Sequence, residues 1–233
     1  NSPWNLVPPL FTPSKKFIFK NQISKDYDVI ISCGRKSVIP SIVLKKNCNK
    51  KVVNIHIQNP KVSLQNFDFV VVPDHDSIDG PNVLISKGAI HYLTIDEINN
   101  AKDYLVNKIE KGKDVITLIL GGPTKYYNYS KEHISEIFSK INKQILEKNL
   151  QLILIPSNRT PENIIQFAKE YFGKNSLIID TVDKQAYLSS LSLAKYVVVT
   201  CDSSSMISEA ALTGKPIYVA MIPATRSDKR FQK

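Results

Sequence analysis

The residues of this chain with the strongest chemical character sit in short polar clusters that follow apolar runs. The C-terminal cluster is Cys201-Asp202-Ser203-Ser204-Ser205-Met206, with Glu209 three residues beyond it. Small hydroxyl residues ahead of a helix suit an anion, because the first turn presents unpaired N–H groups and a partial positive charge. Ser203, Ser204, Ser205 and Met206 would then cradle a diphosphate, and Glu209 can accept hydrogen bonds from a ribose diol. The same residues fit a plainer account, in which Asp202 or Ser203 caps the helix and Glu209 is a solvated surface carboxylate.

Other clusters have similar character. Asp74-His75-Asp76 places an imidazole between two carboxylates, a set that can take a proton from an acceptor hydroxyl; the alternative is a hydrogen-bonded turn. A metal is not expected there, since alternate residues of an extended loop rarely chelate one ion and no further ligand cluster accompanies them. Gly121-Gly122-Pro123-Thr124-Lys125 allows close backbone approach and supplies a point charge for a phosphate, or is simply a loop shaped by Gly-Gly-Pro. Arg159, in Ser157-Asn158-Arg159-Thr160-Pro161, can pair with a diphosphate or cover a sheet end. Cys33-Gly34-Arg35-Lys36 is a further turn with cations, where the glycine has a plain conformational explanation. His56 reads as a core histidine, and His91 and His133 as surface residues.

The elements that must position these groups follow from periodicity. Tyr196 to Thr200 is a β-branched run suited to a strand buried on both faces. Met206, Ile207, Ala210 and Ala211 share one helical face, Gly214 stands where the helix ends, and Ile217 to Met221 is a second strand. Further strands are expected at 28–32, 51–57, 67–72, 82–85, 114–120, 151–155 and 176–180. Helices are expected from Ser37, over Ser130–Leu150 with Ile134, Ile137, Phe138, Ile141 and Ile145 inward, and over Asp183–Leu193. Thr94-Ile95-Asp96-Glu97 reads as a capping box opening one helix with Ile98, Ala101, Leu105 and Ile109 on a face. Thr160 as N-cap and Pro161 at the first helical position open another. Residues 1–26, with four prolines, read as irregular. Strands alternating with helices imply an α/β fold with parallel sheets covered on both faces. The domain crossover falls so that residues 1–93 form an N-terminal domain and 94–233 a C-terminal one.

The run DSSSMISEAALTGKP resembles the signature of the mitochondrial-fission Elm-type family, whose bacterial members are taken as glycosyltransferases. SCGRKS (32–37), IHIQNPKV (55–62), FDFVVVPDHD (67–76), GPNVL (80–84), GGPTK (121–125) and PSNRTP (156–161) match in order, so the resemblance covers nearly the whole chain. It implies a GT-B-like fold, two Rossmann-type domains facing each other across a cleft. The S-E-A-A-x-x-G-x-P pattern is also similar to the donor site of the GT-B enzyme that adds N-acetylglucosamine to the peptidoglycan lipid precursor, which implies a ribose-holding role for Glu209. The resemblance further implies a strand and Gly-rich loop before Asn1 and a helix after Lys233, so the sequence reads as a fragment with an incomplete N-terminal domain. Val182 to Tyr187 departs from the family's Asn-Pro-Tyr-like stretch, which leaves base recognition open.

The chain has 233 residues, 31 Lys+Arg against 21 Asp+Glu, and a net charge of +10. Such a balance points to an anionic partner. The lysines are scattered, with neither an Arg-rich helix nor an aromatic RNA-binding signature, so nucleic acid is not the expected one. A solvated basic surface or an anionic membrane leaflet with a glycolipid acceptor accounts for the charge. Three cysteines in no metal-ligand spacing suit a reducing compartment, and a cytoplasmic location at the inner face of a membrane is expected. The reading is a glycosyltransferase with a nucleotide-sugar as donor substrate and no cofactor. In it Gly121, Gly122, Lys125, Arg159 and residues 203–206 hold the donor diphosphate, Glu209 holds the ribose, and Asp74 or His75 acts on the acceptor. A nucleotide-sugar epimerase or hydrolase, and a non-catalytic fission-type adaptor, are the alternatives; oligomeric state has no sequence signal.

Overall fold

A computed structural model of the chain describes residues 27–226, so the expected irregular stretch at 1–26 lies outside the described residues. The chain divides into two compact units, one up to Ile90 and the other from His91 on. All strand pairs of both sheets are parallel.

The N-terminal unit carries a four-stranded sheet in sequence order: β1 (Val29–Cys33), β2 (Val53–Ile57), β3 (Phe69–Pro73) and β4 (Val83–Ser86). Helix α1 (Val38–Asn47) joins β1 to β2, while short 3-10 turns at Leu64–Asn66 and Asp74–Asp76 occupy the other connections. One face of this sheet packs Val70 and Val72 against Val38 and Phe67. On the opposite face Ile31 pairs with Ile55, and Ile55 with Phe69, and there Ile31 is 68% and Phe69 43% exposed. Cover on both faces, expected from strand–helix alternation, therefore does not hold for the described residues of this unit. The links after β2 and β3 lack the helices that would lay a second layer down.

In the C-terminal unit the expectation holds. Its five strands, β5 (Asp114–Leu120), β6 (Leu150–Pro156), β7 (Leu177–Ile178), β8 (Ala194–Thr200) and β9 (Ile217–Ala220), lie in the order β7-β6-β5-β8-β9. Helices α4 (Lys131–Lys148) and α5 (Glu162–Phe172) bury Ile134, Phe138, Ile141 and Ile164 against Leu118, Leu152 and Leu154 on one face. On the other face α2 (Ile95–Asn100), α3 (Asp103–Val106), α6 (Lys184–Leu193) and α7 (Ser204–Ala211) cover Val115, Ile119, Val197 and Val199. Sandwiching explains why β5 and β6 read as largely apolar runs, broken only by Asp114, Thr117 and Gln151. Phe138 is fully buried, with the rings of Phe167 and Phe172 centred 5.4 and 4.9 Å away.

Two local expectations change. The Thr94–Glu97 capping box forms, but the helix it opens breaks into α2 and α3. Ser189 on α6 intercepts the break, its hydroxyl donating to the Lys102 carbonyl at 3.0 Å and accepting from Leu105 N–H at 3.1 Å. Thr160 does not cap α5, whose N-cap is Pro161. Its hydroxyl instead donates toward the Leu120 and Gly121 carbonyls, at 2.9 and 2.6 Å, and accepts from Ser157 N–H.

Candidate functional site

The strand order of the C-terminal sheet reverses direction between β5 and β8. At such a switch point the connections from neighbouring strands leave toward opposite faces, and the space beyond the strand ends is where open α/β sheets take ligands. Beyond β5 lie Gly121 and Gly122, beyond β6 Ser157 to Arg159, and beyond β8 Cys201 to Ser203.

Asp202 holds these ends together. Its side chain is fully buried and pairs with Arg159, whose Nη2 donates to Oδ2 at 2.7 Å. Gly122 N–H donates to the same oxygen at 3.1 Å. The Tyr129 hydroxyl donates to Oδ1 at 2.5 Å and stands 2.7 Å from the Thr200 hydroxyl, which accepts from Gly121 N–H at 2.8 Å. Burial, and then Asp202, push the Tyr129 phenol far above its ordinary range, so it remains a donor. A Cβ on Gly121 would fall on the Asp202 carboxylate, and one on Gly122 on the Arg159 backbone carbonyl. Both glycines are thus required by close approach within the protein, and their N–H groups are already committed there.

Arg159 is half-anchored. Nη1 donates to the Gly122 carbonyl at 2.8 Å and Nη2 to Asp202, yet the side chain stays 39% exposed. A guanidinium carries five N–H donors, so this one keeps donors for an incoming anion on its outer edge. Lys125 is exposed, its ammonium 4.7 Å from the centre of the Tyr126 ring.

Helix α7 begins at the same sheet edge. Ser203 is its N-cap, accepting from Met206 N–H at 3.4 Å, so the serine and not Asp202 does the capping. Among the described residues no acceptor is recorded for the N–H groups of Ser204 and Ser205, the remaining first-turn donors. Glu209, two turns in, is half-buried and accepts from the Tyr187 hydroxyl at 2.8 Å. Lys215 points elsewhere: its ammonium donates to the carbonyls of Leu191 and Ser192, at 2.7 and 2.6 Å, closing the C-terminus of α6. Burial lowers its pKa.

In the N-terminal unit Asp74 and His75 lie in the 3-10 turn directly after β3, Asp74 exposed and His75 half-exposed. Gly34 takes φ 77° and donates its N–H to the Ile57 carbonyl at 3.2 Å, which accounts for the turn there. His56 is a core residue, fully buried, with Nδ1 2.8 Å from the Ser32 hydroxyl. Burial lowers its pKa, so it is neutral. Among the described residues no His, Cys, Asp and Glu cluster could hold a metal ion, and no helix is long and apolar enough to cross a membrane.

Gly121, Gly122, Arg159 and Ser203 therefore gather at one switch point, with Glu209 on the helix that starts there. Sequence reasoning missed Tyr129 and Tyr187. Tyr129 lies in the loop before α4 and Tyr187 on α6, and no local signal separates a buried phenol that donates to a carboxylate from one that only packs.

The fold matches solved structures. The UDP-GlcNAc 2-epimerase of Methanocaldococcus jannaschii is 16% identical with a TM-score of 0.53, over 82% of this chain and 60% of that one. The Neisseria meningitidis UDP-GlcNAc 2-epimerase, solved bound to UDP-GlcNAc, is 14% identical with a TM-score of 0.54, over 88% and 61%. At this identity the likeness carries the fold, an α/β chain of two Rossmann-type units on the GT-B-like plan expected from the sequence. By sequence, an uncharacterised protein of Rickettsia prowazekii is 28% identical over 87% of this chain and 67% of its own. The mitochondrial fission protein ELM1 of Arabidopsis thaliana is 23% identical over 82% of this chain and 51% of its own, so the chain spans only about half of that relative. Residues 1–233 match the family described as Mitochondrial fission ELM1, and the chain belongs to it.

Proposed function

We propose that the C-terminal unit binds a nucleotide-activated sugar and that the protein is a glycosyltransferase. One observation carries the reading: a guanidinium with free outer donors and the serine-capped start of a helix come together at the switch point of a Rossmann-type sheet. Arg159, Lys125 and the N–H groups of Ser204 and Ser205 would hold the diphosphate. Glu209, six residues past the N-cap and therefore ~9 Å along the helix axis, would take the ribose. The solved structures of similar fold are enzymes acting on UDP-GlcNAc, which makes UDP the first nucleotide to try.

In the transfer, the bond between the anomeric carbon and the outer phosphate oxygen breaks as the acceptor hydroxyl oxygen bonds to that carbon. Charge accumulates on the departing diphosphate, where fixed donors contribute most. Asp74 and His75 of the N-terminal unit are proposed to take the acceptor's proton. The net charge of +10 suits an anionic glycolipid acceptor at a membrane surface. A second reading, epimerisation or hydrolysis of the nucleotide-sugar, draws support from the fold neighbours; it would consume the sugar donor with no acceptor present.

Titration calorimetry with UDP, GDP, CMP and dTDP tests the proposal, with Glu209→Ala alongside. Binding of one nucleotide that is lost in the variant is the expected result. If none binds at millimolar concentration, the nucleotide-sugar readings fall together and a non-catalytic adaptor takes their place.

A further inference from the structure

Tyr187 stands on α6, and its hydroxyl donates to Oε2 of Glu209 on α7 at 2.8 Å. Among the described residues this is the one hydrogen bond recorded for the Glu209 carboxylate, so Oε1 keeps its lone pairs for another donor. The Tyr187 ring packs against a core that includes Leu188, Leu191, Val197 and Ala210, which fixes where its hydroxyl lies. Burial and the neighbouring carboxylate push the phenol far above its ordinary range, so the hydroxyl keeps its proton.

A glutamate on a helix surface samples many rotamers, and ordering it on ligand binding costs conformational entropy. A carboxylate tied through one oxygen to a packed phenol has lost much of that freedom before any ligand arrives. Preorganisation of this kind raises affinity for a group that bonds the second oxygen, and it leaves contacts elsewhere on the ligand untouched.

We infer that Tyr187 is a positioning residue, one that holds Glu209 so that its second oxygen reads the ribose diol of a nucleoside diphosphate. The inference rests on the donor-site reading above and adds to it the element that sets ribose over deoxyribose.

The test compares UDP with 2′-deoxy-UDP by titration calorimetry on the 233-residue chain, using the unaltered protein, Tyr187→Phe and Glu209→Gln. Phenylalanine keeps the ring and its packing. The unaltered protein should prefer UDP by about tenfold or more, the worth of a hydrogen bond to a charged group. Tyr187→Phe should bind 2′-deoxy-UDP as before, bind UDP about fivefold or more weakly, and lose most of the preference. Glu209→Gln should lose the preference too. If Tyr187→Phe weakens both nucleotides equally, or keeps the full preference, its bond to Glu209 is only structural and the inference fails alone. Should another nucleotide bind in place of UDP, its ribose and 2′-deoxyribose forms are compared instead; if the unaltered protein binds none of UDP, GDP, CMP and dTDP, or shows no preference that Glu209→Gln removes, the donor-site reading fails and takes the inference with it.

Discussion

Asp202→Ala should loosen the C-terminal unit at its switch point. The carboxylate accepts from Tyr129 at 2.5 Å, from Arg159 at 2.7 Å and from Gly122 N–H at 3.1 Å, with its own side chain fully buried. A buried donor left unsatisfied costs about 1–3 kcal/mol. Gly122 N–H would bear that in full. Tyr129 would bear part of it, because the Thr200 hydroxyl remains at 2.7 Å. Arg159, 39% exposed, would recover water at its freed nitrogen. The sum is about 2–4 kcal/mol, reaching the low end of the cost of breaking a buried ion pair. Arg159→Ala should cost a comparable amount, since it leaves the buried carboxylate without a counter-charge, and the double variant should cost less than the two singles added. Hydrogen exchange of the peptide covering β5 and Gly121-Gly122 reads this unit separately from the N-terminal one. A loss of ~3 kcal/mol appears there as roughly 100-fold faster exchange. An acceleration below about fivefold would refute the claim that Asp202 ties the strand ends together.

Other outcomes follow from the same geometry. Gly122→Ala should destabilise by about 1–3 kcal/mol or more, because the added carbon meets the Arg159 backbone and no rotamer relieves it; an unchanged urea midpoint would contradict this. His56 has its pKa lowered by burial, so the unfolded chain binds the extra proton first and stability, present above about pH 6.5, is lost as pH falls from there toward the folded value. Urea midpoints taken between pH 7.5 and 5.5 should drop in the unaltered protein, and His56→Gln should remove part of that slope. Asp183 caps α6, accepting from Gln185 and Ala186 N–H at 2.8 and 3.1 Å, and Asp183→Ala should cost about 1 kcal/mol in equilibrium unfolding. Its pKa is lowered, chiefly by the Tyr104 hydroxyl, so this contribution is present above the unfolded carboxylate range and is lost as pH falls through the folded value.

The parts of the fold legible in the sequence are those fixed by neighbours in the chain. The runs at β5 and β8, the inward stripe of α4, the Thr94–Glu97 box and the serine turn before α7 all depend on residues a few positions apart. The break between α2 and α3 was hidden because its cause, Ser189, lies 84 residues from Leu105. Thr160 looks like a cap by local spacing, yet carbonyls about 40 residues upstream claim its hydroxyl. The site divides the same way. Arg159 and the glycines are visible as a cation and a flexible turn, but their tie to Asp202 spans 43 and 80 residues. Nothing beside Tyr187 in the chain marks its role, which follows only from the fold setting it beside Glu209, 22 residues on. In the N-terminal unit the alternating pattern implies a fully covered sheet, since periodicity does not count how many helices a short connection can hold.

The Gly121–Asp202 interlock also limits the routes by which this site can change over generations. A side chain at 121 has no room while residue 202 keeps its carboxylate, and shortening residue 202 first strands the buried Gly122 N–H and takes a partner from Tyr129 and Arg159. Neither position can take the first step cheaply, so the pair is passed on together or replaced with its surroundings in one move. Divergence should then accumulate around the site, in the loops and on the outer helix faces, while these two positions, 81 residues apart by number, behave in inheritance as a single letter.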